Sequence, residues 1–148
     1  MKVHREKLQI KSQQEFDVVD ITTDVEKAVL NSAIEEGYAL VYSLHTTCSI
    51  LVNEKETGLL ADIGATMQRL VPKDIDYLHD DFSIRTENMH ENETKNAHAH
   101  IRQILGGRTS EYVPVGEGQL LLGRWQRVMF IDFDCAKDRE VMIQVCGV

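Results

Sequence analysis

The chain has 148 residues, 43% of them hydrophobic and 27% charged, with a formal net charge of −8. That length suits one domain, residues 1–148, with a core that needs no disulfides. The acidic balance and the scattered Lys and Arg argue against a nucleic-acid partner or an anionic membrane surface, both of which need clustered positive charge.

"VHREKLQI" and "EFDVVDI" read as two strands joined by the polar "KSQQ". The charge-alternating start is unlike a signal peptide, and no apolar run approaches the ~20 residues needed to span a bilayer. "TTDVEKAVLNSAIEEG" predicts a helix. Thr23 and Glu26 are spaced as a capping box, Gly37 stands where a C-terminal glycine belongs, and Val25, Val29, Ala33 and Ile34 form the apolar stripe. "YALVYSL" and "CSILVN" are strands on either side of His45, and "ETGLLADIGATMQRL" is an amphipathic helix stopped by Pro72.

Residues 73–96 are polar and aperiodic, and a loop that long in a small domain is usually functional or disordered. "NAHAHIRQILGG" is a short helix closed by Gly106 and Gly107. After it come "SEYVPV", a "GEGQ" turn, "LLLG", "RWQRVMFIDFD" and "EVMIQVCG", all β. Segregated strands and helices of this kind give an α+β fold. Cys48, Cys135 and Cys146 show no CxxC spacing, which implies reduced thiols and a cytoplasmic protein.

Four of the six histidines, His79, His90, His98 and His100, fall within 22 residues of one another, in or beside the long loop. Neutral imidazole is the commonest metal ligand, and three around an ion with one open position is a common catalytic pattern. On a helix, His98 and His100 lie about 200° apart, so at most one of them serves a shared ion and the other is a solvated edge residue. In this placement Ala97, Ile101 and Ile104 form the stripe between them, and His90 reads as a loop residue. His45 and Thr47 point the same way on a period-two run, so a threonine hydroxyl can orient the imidazole or meet a substrate oxygen; Cys48 reads as a small buried hydrophobe. Strand alternation puts Trp125 in the core and Gln126 on a site wall.

"HTTCSILVNE", "VP", "YLHDD", "NAHAHIRQILGG", "YVPVGEGQLLLGRWQ" and "FDCAKDR" follow one another as in the YjbQ family, which the chain resembles over nearly its whole length. Members of that family are known as secondary thiamine-phosphate synthases. The resemblance implies a two-sheet β-sandwich with packed helices, assembled as a homotrimer, with a histidine-rich metal site near the subunit interfaces. It selects His45, His79 and His100 as metal ligands. It also implies Glu54, Asp80, Gln126 and Arg139 as catalytic residues, and Thr46, Thr47, Asn53 and Trp125 as substrate contacts. Relatives carry "DGPR" where this chain has "DCAKDR", which alters any phosphate-holding turn there.

The implied reaction couples a pyrimidine pyrophosphate with a thiazole phosphate and releases pyrophosphate. Stabilising that leaving group calls for positive charge, typically Mg²⁺ on oxygen ligands, whereas three imidazoles favour Zn²⁺. The mismatch points to thiamine-phosphate synthesis as a side activity. Two alternatives stand beside it: a metal-dependent hydrolase or lyase acting on a small phosphorylated metabolite, and a non-catalytic trimer that binds metal or ligand.

Overall fold

The structure, a computed structural model, describes every residue except His90, so the reading of that histidine lies outside the described residues. Two antiparallel sheets face each other. The larger has the order β1 (Lys2–Lys11), β8 (Asp138–Gly147), β3 (Gly37–Ser43), β5 (Ser110–Gly116) and β6 (Gln119–Leu120). The smaller has the order β2 (Asp17–Asp20), β7 (Gln126–Asp132) and β4 (Cys48–Glu54). Alternate residues of the strands meet between the sheets. Val41, Ile50, Val113, Val128, Phe130, Val141 and Ile143 form the main core there.

The small sheet is buried on both faces, because helices α2 (Thr57–Leu70) and α3 (Ala97–Gly106) cover its far side. Ile131, Phe133 and Ala99 pack there with Phe16, Val18, Leu51 and Met67. This explains why "RVMFIDF" is a nearly unbroken apolar run.

Helix α1 (Thr22–Ser32) begins without the expected capping box. Thr23 is exposed; the carboxylate of Asp20 instead accepts the N–H and hydroxyl of Thr22, whose oxygen accepts the N–H of Val128 on β7. The helix start is therefore tied to the sheet. Its end is at Ala33, in the left-handed region at φ 49°. Gly37 serves a different purpose, because a Cβ there would collide with the Cys146 carbonyl of the neighbouring strand. Helix α2 matches its sequence signals: the Glu56 carboxylate accepts the N–H groups of Gly58 and Leu59 at 2.7 Å, and the helix stops two residues before Pro72. Glu117 and Gly118, at φ 52° and 71°, make the tight turn between β5 and β6.

Helix α3 corrects two expectations. Ile101 and Ile104 face outward, while Arg102 and Gln103 are buried. His98 is not solvated but 2% exposed. The inner face of α3 meets the apolar cluster through Ala99 and polar groups through His98 and Arg102. Arg102 donates to the Val71 carbonyl and to Glu15, and His98 Nε2 lies 3.8 Å from the same carboxylate.

Candidate active site

The loop from β3 to β4 carries His45, Thr46 and Thr47 as a tight turn rather than a continuous strand, with Cys48 N–H donating to the His45 carbonyl. Residues 44–47 lie between β3 and β4, so the period-two run on which His45 and Thr47 would share a face is not formed. Opposite this turn stands the start of α3, fixed by a residue far away in sequence. Asp80, in a 3₁₀ turn spanning Leu78–Asp80, accepts the N–H groups of Asn96 and Ala97 at 3.0 and 3.1 Å. That anchor brings His79 and His100 together, with ring centroids 4.9 Å apart. It also commits one Asp80 oxygen to capping a helix, a role different from the catalytic one expected.

His45, His79 and His100 line one cavity of about 530 Å³ with Thr46, Thr47 and Arg139. These six candidate residues therefore share one wall. The sequence reading missed Arg85, Asn96, Asp134 and Lys137, which share it. Arg85 ties the long loop down: it donates to the carbonyls of His79, Glu87 and Asn88 and pairs with Glu93. At the back, Arg139 grips the buried Asp132 through two hydrogen bonds, and Lys137 pairs with Asp134 at 2.7 Å. The Lys137 and Asn96 hydrogen bonds hold the Asp134 carboxyl below its ordinary range, although burial works the other way. Cys48, beneath the turn, is pushed up to about 12 by burial and by Asp132, which leaves it an inert thiol.

Four expected site residues lie elsewhere. Asn53 and Glu54 end β4, paired with Arg127 and Gln126 of β7, whereas the cavity lies at the Cys48–Asp132 end. Six residues of strand separate the two ends by about 20 Å. Trp125 is not core: it is 61% exposed, with the Arg124 guanidinium 4.6 Å from its ring centroid. Gln126 is exposed and accepts the Gly123 N–H. A larger cleft of about 750 Å³, lined by Asp74, Asp76, Asp80, Asp81, Lys73 and Lys95 among others, holds none of the imidazoles.

The protonation of His45 and His100 follows from their surroundings. Burial, with the Arg139 charge next in weight, holds His45 below its ordinary value. His100 is held below by burial and by His79. The lone pair of His45 Nε2 accepts the Glu140 N–H at 2.8 Å, whereas His79 Nε2 lies 3.3 Å from Arg85 Nη1, whose two hydrogens have nearer acceptors in Glu93 at 3.0 Å and the His79 carbonyl at 3.2 Å. A neutral imidazole has one lone pair, so as folded His45 has none left for a metal. His100, which donates toward the Thr46 backbone, keeps an acceptor nitrogen. The three-histidine ligand set therefore does not fit as arranged. Among the described residues no group of three His, Cys, Asp or Glu side chains is disposed to hold an ion.

This two-sheet domain has counterparts among known proteins. The family model of UPF0047 protein YjbQ-like matches residues 6–148, and the chain belongs to that family. A UPF0047 protein of Archaeoglobus fulgidus is 38% identical over 93% of this chain and 97% of its own. The UPF0047 protein YugU of Bacillus subtilis is 31% identical over 95% and 97%. Among solved structures, a YbjQ-like protein of unknown function from Sulfolobus solfataricus superposes with a TM-score of 0.85 at 30% identity, covering 99% of both chains. An uncharacterised YjbQ/UPF0047 protein of Clostridium acetobutylicum gives 0.82 at 32% identity, covering 95% of this chain and 99% of that one. No helix among the described residues is long and apolar enough to cross a membrane.

Proposed function

We propose that the histidine cavity is the active site of an enzyme acting on a small phosphorylated metabolite, with His100 as general base. The observation that carries this reading is the convergence of three imidazoles, Thr46, Lys137 and Arg139 on one cavity of small-molecule size. His100 is neutral near pH 7 and keeps a lone pair, as a base requires. Lys137 and Arg139 supply positive charge where a phosphate or pyrophosphate leaving group would develop negative charge. The reaction that the family resemblance implies is the joining of a pyrimidine pyrophosphate to a thiazole phosphate. No step of this reading runs through a metal ion.

The test is turnover of that substrate pair, followed as thiamine-phosphate formation in wild type, His100→Gln and His98→Gln. Loss of a general base lowers the rate about 10²–10⁴-fold, and that loss is expected for His100→Gln alone. Full activity in His100→Gln would rule out its role. Stoichiometric zinc in protein purified without an affinity tag, lost on replacing His79 or His100, would substitute a metal-dependent reading in which His79 trades Arg85 for the ion.

We propose the homotrimer on separate grounds. Tyr38, Tyr42 and Tyr112 are exposed on the outer face of the large sheet, and Ile104 and Leu105 on α3. An apolar surface of this kind is characteristic of subunit contacts. Asn53, Glu54, Trp125 and Gln126 can serve the cavity only from a neighbouring protomer. Light scattering at micromolar concentration is expected to give three times the chain mass, and a Tyr112→Asp variant a smaller species; a monomeric wild type would refute the assembly.

A further inference from the structure

We propose that His45 is a fixed hydrogen-bond donor for a substrate oxyanion, a phosphate ester or pyrophosphate, and not a metal ligand. This rests on the reading of the cavity as a site for phosphorylated molecules and names how it would recognise them. Glu140 is on β8, and its backbone N–H cannot act as an acceptor. Its 2.8 Å contact with His45 Nε2 therefore places the ring proton on Nδ1. That Nδ1–H meets no hydrogen-bond partner among the described residues, yet it is not a buried unsatisfied atom. It is therefore accessible, on a ring that lines both the histidine cavity and an adjoining one of about 410 Å³ walled by Tyr42, Gln103 and Ile104.

Arg139 extends the same surface. It uses Nε and Nη2 on Asp132, and among the described residues its Nη1 is neither bonded nor a buried unsatisfied atom. The His45 N–H and the Arg139 guanidinium thus stand on a wall with Lys137, where the Asp134 and Glu93 carboxylates are already paired with Lys137 and Arg85. Donors of this kind suit phosphate oxygens.

The substitutions that separate donor from acceptor are His45→Asn and His45→Gln. Asn places an N–H near the Nδ1 position, while Gln keeps an acceptor for the Glu140 N–H and loses that donor. Binding of inorganic phosphate, pyrophosphate and glycerol phosphate is measured by calorimetry on each folded variant, and the tautomers of wild type by long-range ¹H–¹⁵N correlation. Expected are a protonated Nδ1 in His45, affinity within a few fold of wild type for His45→Asn, and at least a tenfold loss for His45→Gln, the size of one charge-assisted hydrogen bond. Tighter binding of glycerol phosphate than of the inorganic ions would assign the oxyanion to a substrate ester, and the reverse order to the leaving group. Unprotonated Nδ1 at His45, equal binding by the two variants, or no phosphate-type binding by wild type would overturn the proposal. Absent thiamine-phosphate turnover with this binding pattern intact would count against the proposed reaction alone.

Discussion

His98 and His100 are two residues apart on one helix and do opposite things. His100 lines the cavity, and the buried His98 and Arg102 meet the partly buried Glu15, which Lys73 pairs from the solvent side. The Lys73 and Arg102 hydrogen bonds hold the Glu15 carboxyl below its ordinary range against the opposing effect of burial. His98 Nε2 and Arg102 Nη2 both lack a hydrogen-bond partner among the described residues. Removing the His98 ring empties buried volume beside a carboxylate, so His98→Ala is expected to lower unfolding stability by about 1–3 kcal/mol. Urea denaturation checks this. His100→Ala is expected to cost less stability and to abolish function; the reverse pattern would exchange their roles. The choice of His100 was legible because helix geometry leaves one of the pair for the cavity and the family motif fixes which one. The burial of His98 was not, because its partner Glu15 is 83 positions away.

Among the elements, the loop of residues 73–96 matters most, because its contacts decide where His79 stands. Asp80 provides its link to α3 by capping two backbone N–H groups. Asp80→Ala is expected to cost about 0.5–2 kcal/mol, as loss of a helix cap does, and Asp80→Asn less, since its amide oxygen still accepts. The measurement is the denaturation midpoint, read beside the His79 and His100 ring resonances. Unchanged stability and ring shifts in Asp80→Ala would mean the cap holds nothing together. Strands and helices were largely readable, because their apolar periods survive in the folded state. The misread features all depended on a distant partner. Asp20 and Val128 replace the expected capping box of α1, Cys146 explains Gly37, and Glu15 and Val71 turn Arg102 inward, leaving Ile101 and Ile104 outside.

At the level of the whole molecule, two populations of ionisable groups make stability depend on pH in separate windows. Burial holds His45, His98 and His100 below the ordinary 6.5. For His98 the opposing carboxylates are Glu15 and Asp134, and Arg102 and Lys73 add to the lowering. The unfolded chain takes up protons on these rings near 6.5 while the folded chain does not. Stability from this source is thus complete above 6.5 and falls as pH drops through the lower folded values. Glu15, Asp20 and Asp134 are also depressed, from ordinary values of 4.5, 3.8 and 3.8, by the cations and donors that hold them. Their contribution is complete above those values and is lost as pH falls beneath them. Two successive declines are therefore expected, one starting near pH 6.5 and one near pH 4.5. Chemical denaturation at intervals from pH 8 to pH 3 measures both. His98→Gln should shrink the first decline and Glu15→Gln the second, each leaving the other decline in place. A flat stability between pH 8 and pH 5 would mean that the buried rings charge as readily folded as unfolded, and the neutral imidazoles on which the cavity's hydrogen bonding depends would be lost with it.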